Sequence, residues 1–190
     1  MIVCPHAYEG LGFLNQFPQI TKNIQLSDAD LGRFLAIEQD FGTSELGNII
    51  AERCHQEYGI STLVVEPLLP RSIIDPGRFE PECLRNILNY QNFPGLKQTL
   101  LTLHRSYIKT LKKLVDYISS KDGLIIDLHT MSPYSPRSLS KTYSEAIQET
   151  PETLVQYIES FCQSHIHGVP REIQLFTGDK DIKADKILLH

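Results

Sequence analysis

Two short segments far apart in the chain carry side chains that could bind a metal ion. His6 and Glu9 are three residues apart near the start, and His129 directly follows the apolar run Leu124-Ile125-Ile126-Asp127-Leu128. Two imidazoles and one carboxylate are the protein ligands of a catalytic zinc that keeps a fourth position open for water. If the fold brings them together, they predict a metal-dependent hydrolase with Zn²⁺ held by His6, Glu9 and His129.

Each of these features also has a plainer explanation. An H-x-x-E tetrapeptide such as the one from His6 to Glu9 is common by chance. A histidine at the end of a buried strand is costly to bury without a partner. The alternative for His129 is therefore a core histidine that caps a helix or bonds to the backbone.

The surrounding pattern alternates strands with helices. We expect buried strands at 1–4, 61–66 and 124–128, and helices from 43 or 44 to Gly59, from about 95 to 119 and from 150 to 164. A last strand candidate is 171–176. Alternation of this kind predicts a single α/β domain over 1–190, a three-layer αβα sandwich with a mixed, mostly parallel sheet.

Polar clusters follow all three of the predicted strands. His6 follows the first, the segment 71–78 follows the second, and His129 ends the third. Because sites in such sheets collect at the carboxyl ends of strands, we expect one site there. Asp127 and His129 are two residues apart on a strand, so their side chains share a face.

Composition excludes several classes of protein. Hydrophobic residues make up 41% of the 190 residues and the net charge is −5, which predicts a globular protein that does not bind nucleic acid. No apolar run could span a membrane and the N-terminus does not resemble a signal peptide, so we expect a cytoplasmic protein. Four scattered cysteines favour reduced thiols over two disulfides. The oligomeric state is left open.

The chain resembles the N-formylglutamate amidohydrolase family, which belongs with the zinc carboxypeptidases and aspartoacylases. The resemblance covers most of the chain and lies in segments that follow one another in the family's order. These are Pro5-His6-Ala7-Tyr8-Glu9, Asp40-Phe41-Gly42-Thr43, Arg71-Ser72-Ile73-Ile74-Asp75-Pro76-Gly77-Arg78, His104-Arg105-Ser106-Tyr107, Ile126-Asp127-Leu128-His129-Thr130-Met131 and Phe176-Thr177-Gly178-Asp179.

The resemblance implies zinc-dependent hydrolysis of the amide C–N bond of a small N-acyl amino acid, such as N-formyl-L-glutamate. It implies that Arg71 stabilises the oxyanion and that Arg78 binds the substrate carboxylate. Asp75 and Asp127 would lie behind the zinc ligands, Asp75 accepting a hydrogen bond from an imidazole. The alternatives are that Asp75 caps a turn before Pro76, and that both arginines are solvated surface charges.

Two departures from the family pattern bear on activity. Gly77 stands where the family has Asn, and no segment matches the strand that carries the family's general-base Glu near the C-terminus. Glu172 is the nearest carboxylate on a candidate strand, with Asp179 and Glu149 as weaker substitutes. Two explanations stay open: a chain shortened at its C-terminus whose base is lost or moved, or a C-terminal region that continues beyond this sequence.

The alternatives to hydrolysis of N-acyl amino acids are of two kinds. One is a degenerate family member that binds a metal or a carboxylate ligand without turnover, which the missing Glu and Gly77 favour. The other is a metallopeptidase on small peptides, distinguished by whether free N-acyl amino acids are cleaved.

Overall fold

The described residues form a small parallel sheet. The computed structural model describes residues 1–130 and 150–164. Strands β1 (Ile2–Val3), β2 (Val64–Val65) and β3 (Ile126–Asp127) pair in the order β2-β1-β3, all parallel. The central strand β1 is buried, as the apolar residues at the start of the chain predict.

Six helices accompany the sheet within the described residues. They are α1 (Gly10–Gln16), α2 (Pro18–Thr21), α3 (Asp28–Ile37), α4 (Thr43–Tyr58), α5 (Pro94–Ser119) and α6 (Pro151–Ser164). None of them combines the length and apolarity needed to cross a membrane.

Local sequence signals account for several helix ends. The Ser27 side chain accepts a hydrogen bond from the Asp30 N–H and so caps α3. Proline occupies the first position of α5 and α6, where its missing N–H costs nothing. Helix α4 ends at Gly59, whose φ of 67° lies in the left-handed region that glycine adopts without strain.

The strand order places a crevice at one edge of the sheet. From β1 the chain runs to β2 on one side, and then crosses to β3 on the other side. In parallel sheets, ligands bind where neighbouring strands are connected in opposite directions, outside the carboxyl ends. Here that point lies between β1 and β3, and His6 and His129 follow these two strands.

The main hydrophobic core lies between helices and the long segment between β2 and α5. This 66–93 segment contains no helix or strand longer than an isolated bridge. It is fixed by the Ile74–Leu84 bridge and by the Asp75 N–H, which donates to the Cys83 carbonyl at 2.7 Å. Its buried apolar residues pack with α1, α3, α5 and α6; they are Leu69, Ile73, Ile74, Cys83, Leu84, Ile87 and Leu88.

Helix α4 packs closely on the sheet through a glycine. A Cβ added at Gly47 would lie 3.1 Å from Cys4 Sγ and 3.4 Å from a methyl group of Val64. The small residue therefore lets the helix approach both β1 and β2, and the start of α4 is held near the carboxyl edge of the sheet.

The sequence prediction of an α/β domain with parallel strands is confirmed, with shorter strands than expected. The described part of the sheet has three parallel strands, and the strand candidate at 171–176 lies outside the described residues. Helices α4, α5 and α6 match their predicted ranges closely. All four cysteines are free thiols.

Candidate metal centre

Three potential ligands converge at the crevice: His6, Asp40 and His129. One ligand atom of each lies within 4.8 Å of the others. His129 Nδ1 is 2.9 Å from Asp40 Oδ2, and His6 Nδ1 is 3.6 Å from the same oxygen. The two imidazole rings are 4.9 Å apart between centroids. This group could hold a metal ion.

Asp40 is held in this group by the turn that precedes α4. The Asp40 N–H donates to the His6 carbonyl at 3.0 Å, and the Asp40 carbonyl accepts a hydrogen bond from the Thr43 hydroxyl at 2.7 Å. The Thr130 hydroxyl donates to the Phe41 carbonyl at 2.8 Å. These bonds tie the turn to the ends of both β1 and β3, so Asp40 faces both histidines.

The neighbours of His6 fix which ring nitrogen carries the proton. Arg71 Nη1 lies 3.4 Å from His6 Nδ1, and a guanidinium can only donate, so Nδ1 is the acceptor. Nε2 therefore carries the hydrogen and donates to Asp75 Oδ1 at 3.0 Å. The lone pair of Nδ1 is left on the side of Asp40 and His129.

Asp75 is a buried carboxylate surrounded by donors. The Gly77 N–H donates to Oδ1 at 2.9 Å, and Arg78 Nε lies 3.1 Å from Oδ2. Burial raises the pKa of Asp75, but the hydrogen bond from His6 and the positive charge of Arg85 outweigh it and hold the pKa well below its usual range. Asp75 is thus an ionised acceptor that orients His6.

Asp40 and His129 form a charged pair in the metal-free protein. Hydrogen bonds to Asp127 and to Asp40 raise the pKa of His129 to about 9. Burial raises the pKa of Asp40, but the hydrogen bond from His129 and its positive charge outweigh this effect and lower the pKa to about 2. A proton therefore occupies the His129–Asp40 contact at neutral pH, and a metal ion bound there would displace it.

Glu9 is not part of this group. It is an exposed residue that precedes α1, where its carbonyl accepts a hydrogen bond from the Phe13 N–H at 3.3 Å. The group thus contains two of the three predicted ligands, His6 and His129, and differs from the predicted set in taking its carboxylate from Asp40.

Both predicted arginines lie beside the group. Arg71 and Arg78 line a cavity of about 470 Å³ together with His6, Asp127 and His129. Arg71 is also within ion-pair distance of Glu38, at 3.5 Å, and of Asp40, at 3.8 Å. Asp127 Oδ1 lies 3.4 Å from His129 Nε2 on the side away from Asp40.

Some residues at the site had a weak signal in the sequence and others had none. Asp40 was visible as the head of a helical segment, but nothing marked it as a ligand. Glu38 and Arg85 form a fully buried ion pair behind Arg71, whose carbonyl accepts a hydrogen bond from Arg85 Nε at 3.0 Å. The candidate bases Glu149, Glu172 and Asp179 lie outside the described residues.

Comparison with known proteins adds no relative to this picture. A scan against protein-family models found no match, and searches of curated proteins and of solved structures found none either. The geometry of the His6–Asp40–His129 group is therefore the observation from which a function can be inferred.

Proposed function

We propose that this chain is a zinc-dependent hydrolase that cleaves the amide C–N bond of N-acyl amino acids, on a three-layer αβα scaffold. One observation carries the proposal: two imidazoles and one carboxylate converge at the carboxyl edge of a parallel sheet. Catalytic zinc sites use three protein ligands of this kind and leave one position open.

The donors present fit a zinc ion. His6 Nδ1 is kept as an acceptor because Nε2 donates to Asp75. His129 is flanked in the same way, with Asp127 beside Nε2 and Asp40 beside Nδ1. A carboxylate behind each metal-binding imidazole fixes its tautomer and raises its basicity. When bound, Zn²⁺ supplies Lewis-acid polarisation of a carbonyl and lowers the pKa of water to about 7.

Arg71 and Arg78 are assigned separate tasks. Arg71, whose Nη1 lies 3.4 Å from His6 Nδ1, would donate to the carbonyl oxygen as negative charge develops on it. One such donor is worth about 3 kcal/mol of barrier lowering. Arg78 lines the same cavity and is assigned to the substrate carboxylate, which a planar guanidinium binds through two parallel hydrogen bonds.

The test combines metal analysis with an assay of amine release from N-formyl amino acids. We expect one Zn²⁺ per chain and slow turnover that depends on it, since no segment matches the strand that carries the family's general-base Glu. Arg78→Lys should raise KM strongly, because an ammonium group cannot reproduce the planar fork. Arg53→Lys, on the exposed side of α4, is the matched control and should change nothing.

Each outcome has a defined meaning. A folded protein that takes up no stoichiometric zinc would refute the proposal. A protein that binds zinc and carboxylates but shows no turnover would favour the ligand-binding alternative over the hydrolase. Cleavage of small peptides but not of free N-acyl amino acids would favour the peptidase.

A further inference from the structure

The cavity beside the metal group has an extensive apolar lining as well as its charged one. Helix α5 contributes Tyr107, Ile108, Leu111 and Val115, and Ile125 adds to them just before β3. These side chains are half-buried. At about 470 Å³ the cavity falls within the range of small-molecule sites.

The apolar lining is one continuous helix face. Positions 107, 108, 111 and 115 are spaced so that their side chains lie along one side of α5. None of the α5 residues that line the cavity carries a charge. We refer to these four side chains together with Ile125 as the apolar wall.

A second carboxylate on a substrate would meet unfavourable surroundings in this cavity. An anion pressed against the apolar wall would lose hydration without gaining a hydrogen bond. The exposed carboxylate of Asp127 also lines the cavity and would repel it. Gly77, which lines the cavity too, offers no side-chain donor.

We propose that the apolar wall binds an aliphatic or aromatic side chain of the substrate, so that the preferred substrates are N-acyl derivatives of apolar amino acids rather than of glutamate. This rests on the proposed function, because the metal group and the arginines define the other end of the substrate. The apolar wall lines the same cavity as His6 and His129, and this supports the proposal.

Binding of two carboxylates that cannot be hydrolysed tests the proposal. 4-Methylpentanoate carries a branched apolar end, and glutarate carries a second carboxylate. Calorimetric titration of the zinc-loaded protein should give at least about 10-fold tighter binding of 4-methylpentanoate, the lower end of what matched apolar contacts provide.

Two variants of α5 test whether the apolar wall causes the preference for 4-methylpentanoate over glutarate. Leu111→Gln should bring the two dissociation constants close together, and Leu111→Ala should reduce the preference several-fold. Leu114→Gln is the matched control, since Leu114 is also half-buried on α5 but does not line the cavity. It should leave the preference unchanged.

The readouts separate this inference from the proposed function. Stoichiometric zinc with equal binding of the two carboxylates, or tighter binding of glutarate, would overturn the apolar wall and leave the metal site standing. A preference that Leu114→Gln abolishes and Leu111→Gln does not would also overturn it. Absence of zinc uptake would refute the proposed function, while a Leu111-dependent preference for 4-methylpentanoate in the metal-free protein would still support the wall.

Discussion

At the scale of single residues, the composition of the metal group depends on which carboxylate lies beside the two histidines. Asp40 Oδ2 is 2.9 Å from His129 Nδ1 and 3.6 Å from His6 Nδ1, whereas Glu9 is exposed at the start of α1. Loss of a side chain that supports a metal ligand from behind lowers metal affinity by up to about 100-fold. Because Asp40 is proposed as a ligand itself, we expect Asp40→Asn to lower zinc affinity by more than that. Glu9→Gln should leave affinity within a few-fold.

The two variants form a matched pair, because each removes one negative charge and keeps the shape of its side chain. Calorimetric zinc titration measures both, and circular dichroism shows that both are folded. The opposite result, a large loss in Glu9→Gln and none in Asp40→Asn, would restore Glu9 as the ligand and remove Asp40.

The charged pair of His129 and Asp40 predicts how the metal-free protein responds to pH. The pKa of His129 is raised from 6.5 to about 9, so its contribution to stability is complete below about pH 6.5 and is lost as pH rises through 9. The lowered pKa of Asp40 acts at the acid end, where its contribution is lost as pH falls toward 2. Between pH 6.5 and 9.5, His129 is therefore the titrating member of the pair.

We expect the free energy of unfolding, measured by urea titration in a chelator, to fall between pH 6.5 and 9.5. His129→Gln removes the titrating group, so its stability should change less over the same interval. Equal slopes for the two proteins would mean that the proton on His129 contributes no stability. With zinc added, the trend for the wild type should reverse, since binding releases that proton.

Sequence patterns identified some residues of the site and missed others. His6 and His129 follow strands that short apolar runs reveal, and parallel pairing then brings strand ends to the same edge. Asp40 reaches the group through a turn at Gly42 with a φ of 76°, which no spacing rule predicts. Arg85 belongs to none of the motifs found in the sequence, yet it is fully buried.

At the scale of elements, the placement of α1 depends on a glycine at its first position. A Cβ on Gly10 would lie 2.6 Å from Leu35 Cδ2 and 2.8 Å from Ser72 Oγ, and both neighbours are buried. Gly10→Ala should therefore destabilise the protein by about 1–3 kcal/mol, the usual cost of overpacking. Because Ser72 adjoins Arg71, the same change should also weaken carboxylate binding.

Gly32 provides the control for Gly10. It lies on the exposed side of α3, and an added Cβ would meet nothing within 4 Å. Gly32→Ala should stabilise the protein by about 0.5–1 kcal/mol, because alanine loses less backbone entropy in a helix. Urea unfolding measures both. Equal effects of the two substitutions would mean that α1 can move away from Leu35 at no cost.

Helices were predictable where one face carried a regular apolar stripe. Helix α5 has that stripe and matches its predicted range within a residue, and α4 ends at the expected glycine. Helices α1 and α2 are short and interrupted by Pro18, so their periodicity was too brief to detect. The 66–93 segment has no period at all, and its course is set by tertiary contacts such as the bond between Asp75 and Cys83.

At the scale of the whole molecule, one buried ion pair joins parts that are distant in sequence. Glu38 follows α3, Arg85 belongs to the 66–93 segment, and the Tyr157 hydroxyl of α6 donates to Glu38 Oε1 at 3.4 Å. Arg85 Nε also donates to the Arg71 carbonyl at 3.0 Å. The pair thus connects α3 and α6 to the backbone of Arg71, which lies beside the metal group.

Replacing one member of this pair should be far worse than replacing both. Arg85→Met removes the buried counter-ion of Glu38 and leaves that carboxylate only the longer contact with Arg71 at 3.5 Å. Breaking a buried pair in this way costs about 3–5 kcal/mol. The double variant Arg85→Met with Glu38→Leu removes both charges. Among the described residues Arg85 Nη1 has no hydrogen-bond partner, so desolvation of the guanidinium is incompletely compensated in the wild type.

We therefore expect the double variant to recover most of the stability lost in Arg85→Met, with Arg53→Met on exposed α4 as the neutral control. Urea unfolding of the wild type, of Arg85→Met and Glu38→Leu singly, and of the double variant gives the coupling between the two positions. Zinc and 4-methylpentanoate titrations then show whether the pair also positions Arg71: normal zinc uptake with weakened carboxylate binding in the stable double variant would mean that it does. If Arg85→Met lowered the free energy of unfolding by less than about 1 kcal/mol, the pair would contribute no more than a solvated surface contact does. The proposed link from α3 and α6 to the site would then fail.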